Sequence, residues 1–255
     1  MAEWKTIPSK KLPDMKGSIL IAGLPGIGNV GKIVVDFLVD ELKAKKVCEF
    51  FSYHMPHSVF VNEKNLVELP KIELYFVKKK NTKLLILSGD AQPNDEASTY
   101  AFCDAVLDFF EKHKGEEIIT LGGIGLNSIP KVPKVYSTGN NKEIVKRYKK
   151  GTKTQIYGVV GPIIGVSGLL LGLSEKRKIK AVSLLAETLA HPMFLGLKGS
   201  REILKLLNKQ FDLYIDLKNI EKEIKEFESK MKISSELRKA SHASKKSAQD
   251  INYIG

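Results

Sequence analysis

The stretch Gly26-Ile27-Gly28-Asn29-Val30-Gly31 has the spacing of a dinucleotide fingerprint and lies between an apolar run and a helical pattern. In that chemistry the glycines let backbone approach a pyrophosphate, and Glu49 stands where an acid could meet a ribose hydroxyl. The same residues come close to a P-loop, because Gly26 and Gly31 bracket four residues and Lys32 follows. Asp90, just after the apolar run Leu84–Leu87, could imitate the metal-holding acid. The residue after Lys32 is Ile33, however, and an aliphatic side chain offers Mg²⁺ no oxygen. Pro25 stiffens the chain just before the first glycine. Three readings stand side by side: a tight turn that lets a helix approach a sheet, a loop for an anion or small ligand, and nucleotide chemistry.

Other segments could join such a loop. Gly122-Gly123-Ile124-Gly125 reads as a second turn after a strand, with Asn127, Ser128 and Lys131 as further donors. The candidate ligand or anion loop is therefore Gly26, Gly28, Asn29, Gly31, Asp90, Gly122 and Gly123. Glu187-Thr188 follows an apolar run, at the strand end where α/β proteins place ligand contacts. His54 and His57 flank Met55-Pro56 without a third metal ligand nearby. Cys103 lies on an apolar helix face with no histidine beside it, and Cys48 is far from it in sequence. No nucleophile, base and orienting group can be assembled from these parts. No catalytic residue, metal or cofactor is assigned, and the chain reads as a non-enzyme.

The elements that would position these residues alternate in kind. Strands are expected at Ser18–Ala22, Val47–Tyr53, Ser58–Val61, Val67–Leu69, Ile72–Val77, Lys83–Leu87, Glu117–Leu121, Thr154–Val160 and Ile179–Leu185. Helices are expected at Asn29–Lys43, Asn94–His113, Lys142–Lys149, Gly165–Glu175 and Ser200–Gln210, the last with Ser200 as its N-cap. Alternating strands and helices predict an α/β fold: a three-layer α/β/α arrangement around a mostly parallel sheet. The short strands between residues 58 and 77 add antiparallel pairing, which makes the sheet mixed.

Residues 1–212 form the expected core domain. Residues 213–233 form an amphipathic helix on which Leu217, Ile220, Ile224, Phe227 and Met231 continue a heptad stripe, for packing on the core or on another subunit. Residues 234–255 read as a flexible tail, rich in serine and basic residues, that ends in Ile251-Asn252-Tyr253-Ile254-Gly255.

Composition narrows the partners. Hydrophobic content of 43% and charged content of 27% are those of an ordinary globular protein. The formal charge of +12 is mostly lysine spread along the chain, and no nucleic-acid motif accompanies it; a solvated surface that favours acidic protein partners is expected, not a nucleic-acid binder. The most apolar stretch, Val159–Leu173, is too short to span a bilayer and is interrupted by glycines and Pro162. Residues 1–11 lack the apolar core of a signal peptide, so a cytoplasmic protein without membrane attachment is expected.

Taken in order, five blocks resemble a known family. Gly23-Leu24-Pro25-Gly26-Ile27-Gly28-Asn29-Val30-Gly31 resembles the opening motif of the proteasome assembly chaperone family in its archaeal and bacterial form, homologous to proteasome assembly chaperone 2. Ser88-Gly89-Asp90-Ala91-Gln92-Pro93 is similar to its second motif. Leu121–Ile124, Gly161–Gly165 and Leu184–Thr188 are similar to the remaining blocks. The resemblance covers about residues 17–210. It implies a phosphorylase/hydrolase-like α/β/α fold and an ATP-independent, homo-oligomeric chaperone that binds proteasome core-particle α-subunits or a related chaperone.

Some members of that family dock a C-terminal hydrophobic-Tyr-any tail between α-ring subunits. By that likeness Ile251, Tyr253, Ile254 and Gly255 form the partner-binding tail. Here Tyr253 stands third from the end and Asn252 precedes it, which displaces the terminal carboxylate by ~3.5 Å, one residue of extended chain. The alternatives are a nucleoside- or phosphate-binding protein or enzyme using the glycine loop, and a scaffold for a related chaperone.

Overall fold

The computed structural model describes residues 3–152 and 161–230. The chain forms two compact units, Met1–Ile215 and Asp216–Gly255. In the first unit the main sheet is built from β1 (Lys5–Pro8), β2 (Ile19–Gly23), β3 (Lys45–Phe51), β6 (Ile72–Lys79), β7 (Thr82–Gly89), β8 (Glu117–Leu126), β9 (Val135–Gly139) and β10 (Lys180–Leu189). A separate hairpin consists of β4 (Phe60–Val61) and β5 (Val67–Glu68). The helices are α1 (Val30–Leu42), α2 (Glu96–Lys112), α3 (Lys142–Tyr148), α4 (Val166–Lys176) and α5 (Leu197–Phe211).

The spatial order is β1-β3-β6-β7-β2-β8-β10-β9. The central strands β7, β2, β8 and β10 run parallel, and antiparallel strands flank them on both sides. This is the expected mixed, mostly parallel sheet with helices on both faces. Parallel strands are apolar throughout because each face is covered, as Ile19-Leu20-Ile21-Ala22 illustrates. Side chains alternate between the faces. Leu20, Ala22, Leu85, Leu87 and Ile118 join Phe102, Cys103, Val106, Val166 and Leu170 in the core beneath α2 and α4. Ile21, Ile86 and Ile119 turn to the opposite face, where α1 and α5 pack together.

Helix ends and crossings follow from local chemistry. α2 starts where the Asp95 carboxylate accepts from the Ser98 N–H at 2.7 Å. α4 is fastened to α2 by Arg177, whose guanidinium donates to Asp104, Asp108 and Glu111 at 2.6, 2.5 and 2.7 Å, carboxylates spaced along one face of α2. At the opposite end of the sheet from the glycine loop, the buried Glu117 accepts hydrogen bonds from Tyr148 and Arg147 of α3. Burial and the adjacent carboxylate hold the Tyr148 phenol well above its ordinary pKa.

Several expectations are corrected. Gly122–Gly125 is no turn: β8 continues to Leu126, in register with β10 from Lys180↔Glu117 to Leu189↔Leu126. Glycine runs read as turns, but here the missing side chain of Gly123 makes room for the Ile27 carbonyl and that of Gly125 for Ala190. Ser200 is not an N-cap, because α5 begins at Leu197 and Ser200 is buried inside it, its hydroxyl near the carbonyls of Val30 (3.2 Å) and Gly196 (3.1 Å). Strands β1 and β9 were not anticipated. β1 is an exposed edge that ends in proline, and neither strand carries a periodic apolar pattern. The expected strand Thr154–Val160 lies in residues 153–160, outside those described.

In the second unit, residues 218–230 are helical. Ile220 and Ile224 are its buried positions, and Leu217 and Phe227 are half-buried. Met231 and the tail residues Ile251, Tyr253, Ile254 and Gly255 lie outside the described residues.

Candidate functional site

The motif blocks meet at the carboxyl ends of β2, β7, β8 and β10, the end at which open α/β sheets bind ligands. β2 ends at Gly23, a turn of 3-10 helix follows at Ile27–Asn29, and α1 begins at Val30. Gly28 and Asn29 have φ of +61° and +51°, a pair of left-handed residues that a side chain at Gly28 would strain. Space matters more than torsion at the other positions. A Cβ on Gly31 would lie 2.7 Å from the Leu121 carbonyl oxygen, and one on Gly123 would collide with the Ile27 carbonyl. The first turn of α1 therefore rests backbone to backbone on β8. Gly26 differs, since it is exposed, extended (φ −166°) and has open space where a Cβ would go.

The lysine that imitates a P-loop is occupied within the chain. Lys32 Nζ lies 2.9 Å from Asp36 Oδ2 and 3.7 Å from Asp90 Oδ1. Asp36 also accepts from Ser88 Oγ at 2.5 Å. Asp90 accepts from the Lys71 N–H at 3.0 Å, while its own N–H donates to the Lys71 carbonyl at 2.8 Å. The start of α1, just after the first motif, is thus joined to the second motif by an ion pair and a hydrogen bond, with one cation shared between two carboxylates.

Gln92 joins them to the fourth motif, a role the sequence reading did not assign. Its amide Nε2 donates to the Pro25 carbonyl at 2.5 Å, and its Oε1 accepts from the Val166 N–H at 3.1 Å. The residue preceding α4 is Gly165 (φ +80°), which carries no side chain to cap the helix; Gln92 supplies the missing acceptor from another loop. The only local signal was an amide beside Pro93, which many surface turns share.

Glu187 and Thr188 are packed against neighbouring segments. Glu187 accepts from Tyr136 Oη and from the Lys134 N–H, each at 2.9 Å, and so holds β9 and the loop before it against β10. Burial and that carboxylate raise the Tyr136 pKa. Thr188 is buried, and its Oγ1 has no hydrogen-bond partner among the described residues. It fills the space beside Gly28 and Gly196, whose backbones are joined by a hydrogen bond from the Gly196 N–H to the Gly28 carbonyl.

The remaining candidates lie elsewhere. Glu49 sits on β3, three strands from β2 and hence ~14 Å away, and it pairs with Lys46 at 3.2 Å; no ribose held at the glycine loop would reach it. His54 is 3.6 Å from Asp95, and no group of three metal-ligating side chains occurs among the described residues. Cys48 and Cys103 are free and buried, which pushes their thiols up to about 11 and about 12. No described helix is long and apolar enough to cross a membrane.

Comparison with known proteins assigns this arrangement. The PAC2 family model matches residues 20–233, from β2 through the second unit's helix. The chain belongs to the PAC2 family. Its fold matches the crystal structure of Pyrococcus furiosus PbaB, an archaeal proteasome activator, with a TM-score of 0.85 and 31% identity over 92% of this chain and 100% of PbaB. Pyrococcus furiosus PbaA, an archaeal homologue of proteasome-assembly chaperone, matches with a TM-score of 0.75 and 23% identity over 98% and 99% of the two chains. An uncharacterised protein of Methanocaldococcus jannaschii is 28% identical over 251 residues, 96% of this chain and 95% of its own. The five blocks that resembled the family in sequence are, in this PAC2 fold, the segments that lock one another at the carboxyl end of the sheet.

Proposed function

We propose that this PAC2-family chain is a non-enzymatic, ATP-independent factor that works as a homo-oligomer in the cytoplasm and binds α-subunits of the proteasome core particle, with Ile251, Tyr253, Ile254 and Gly255 as the docking tail. The observation that carries this reading is the state of Lys32. In a P-loop the equivalent cation waits for a phosphate; here it lies between Asp36 and Asp90, while glycines that would cradle the ligand are packed on Leu121 and Thr188. A site whose charges and spaces are filled by the chain serves as a structural latch. The 31% identity to a proteasome activator over nearly the whole chain supports the choice of partner. A related chaperone is the alternative partner.

The test is the mass, by size-exclusion chromatography with light scattering, of the protein alone and mixed with proteasome α-subunits. A ring-sized complex that is lost on deleting residues 251–255 is expected. A defined oligomer that ignores the α-subunits would overturn the proteasome assignment and leave the related chaperone as the partner to test.

A further inference from the structure

The β4–β5 hairpin carries an exposed apolar face. Val61 pairs with Val67 and Phe60 with Glu68. Val61 and Val67 are directly opposed and so share a face, and Val59 and Leu69 flank them at the open end of the hairpin. All four are exposed, at 54%, 66%, 67% and 58%, whereas the central strands of the main sheet bury their aliphatic residues almost completely. The hairpin itself is well built. Asn62 closes its turn by accepting from the N–H groups of Lys64 and Leu66 at 2.9 and 3.0 Å and by donating to Glu68 at 2.8 Å. Asn65 takes the left-handed conformation that the turn requires.

From this we infer that the Val59, Val61, Val67, Leu69 face is a contact between two copies of this chain. Charge favours that occupant over an acidic partner. The chain carries +12, so two copies repel over most of their surfaces. Around this face the charges are Glu63, Lys64, Glu68 and Lys71, two of each sign, with Glu68 and Lys71 paired. It is a locally neutral place where two cationic chains can approach. An aliphatic cross-strand pair is also self-complementary, as a two-fold contact requires. The four residues expose on the order of 400 Å², the size of the largest apolar patch on a typical monomer, a patch that is often functional. That is about half of what each partner buries in a standard interface, so the face forms the apolar centre of a wider contact with the polar turn residues at its rim.

This inference rests on the oligomeric part of the proposed function, and the mass of the wild-type protein tests that part separately. The paired experiment compares wild type with Val61→Glu/Val67→Glu by light scattering, and asks whether Val61→Cys cross-links copies on mild oxidation. The native thiols are buried and leave the new one as the reactive site. Expected are a wild-type oligomer, a fall to half its mass or less in the double variant with unchanged circular dichroism, and a dimer band for Val61→Cys that reductant removes. An unchanged mass together with no cross-link overturns the inference and leaves the oligomer in place. A monomeric wild type overturns it together with the oligomer reading. An unchanged mass with lost binding to α-subunits assigns the face to the proteasome and overturns the self-contact.

Discussion

The Gly196 N–H donates to the carbonyl oxygen of Gly28 at 2.7 Å, which ties the glycine loop after the central strand to the residue just before α5. Thr188 occupies the space that a Cβ on either glycine would need. Gly28→Ala therefore combines a left-handed torsion with a 2.7 Å clash against Thr188 Oγ1 and should cost about 2–3 kcal/mol, a fall in Tm of roughly 5–10 °C. Gly26→Ala, at an extended and open position, should stay within about 0.5 kcal/mol. Thermal unfolding of both variants checks the pair. A ligand-binding role for the loop would instead make Gly26 the sensitive residue for binding.

Thr188 offers a test of opposite sign. Its hydroxyl is buried with no partner among the described residues, so the folded state bears the loss of its hydration without a compensating bond. Thr188→Val keeps the shape and removes that burden, and should raise stability by about 1 kcal/mol in denaturant unfolding. A loss of that size would mean that the hydroxyl has a partner in solution.

Gln92 bridges through both ends of its amide, so its variants should rank by chemistry. Gln92→Ala leaves the Pro25 carbonyl and the Val166 N–H without their bonds and should cost about 1–3 kcal/mol. Gln92→Glu retains the acceptor for Val166 but sets a carboxylate oxygen against the Pro25 carbonyl, so it should be at least as destabilising at neutral pH and partly recover below the carboxylate range. Equal, pH-independent losses in the two variants would remove the donor role from the amide.

Lys46 lies between Glu49 (3.2 Å) and Glu73 (2.8 Å), which face each other across β3 and β6. Burial raises the Glu73 pKa, but hydrogen bonds from Lys46 and Tyr75 outweigh it and hold the carboxyl below its ordinary 4.5. A depressed pKa contributes stability above 4.5 that is lost as pH falls through the folded value. Lys46 is shifted upward, mainly by Glu73, so its contribution is present below 10.5 and is lost in stronger alkali. Lys46 is about half exposed, so Lys46→Met should cost only about 0.5–1 kcal/mol at pH 7. The gap from wild type should narrow as pH is lowered from 5 to 3. A gap that stays constant over that range would show that the ion pairs contribute nothing.

Much of the sheet could be read from residues alone, because β2, β7, β8 and β10 are buried on both faces and appear as apolar runs. The five helices were equally visible, since their buried positions recur every three or four residues. What escaped were features whose cause lies in distant chain. β1 and β9 have no internal pattern and exist because β3 and β10 offer free edges. The glycines at 122–125 look like a turn until β10 is in register beside them. Glu49 had plausible spacing for a ribose acid, but spacing cannot reveal that two strands from later in the chain, β6 and β7, insert between β3 and β2. The family likeness was legible through five short blocks, whereas the roles of Gln92 and Thr188 depended on knowing that those blocks meet.

Strand order also sets a schedule for synthesis. β1, β2, β3, β6 and β7 all lie within residues 5–89 and are contiguous in space, so the first third of the chain can assemble five strands by itself. β2 then presents one apolar edge to solvent until Glu117–Leu126 leaves the ribosome and pairs with it. A nascent chain stopped at Lys112 should aggregate or bind a hydrophobic dye, one stopped at Gly139 should still do so through the open edge of β8, and one extended past Leu189, where β10 covers β8, should do so less. The hazard in making this protein thus falls in the middle of translation, at an edge that the finished sheet conceals.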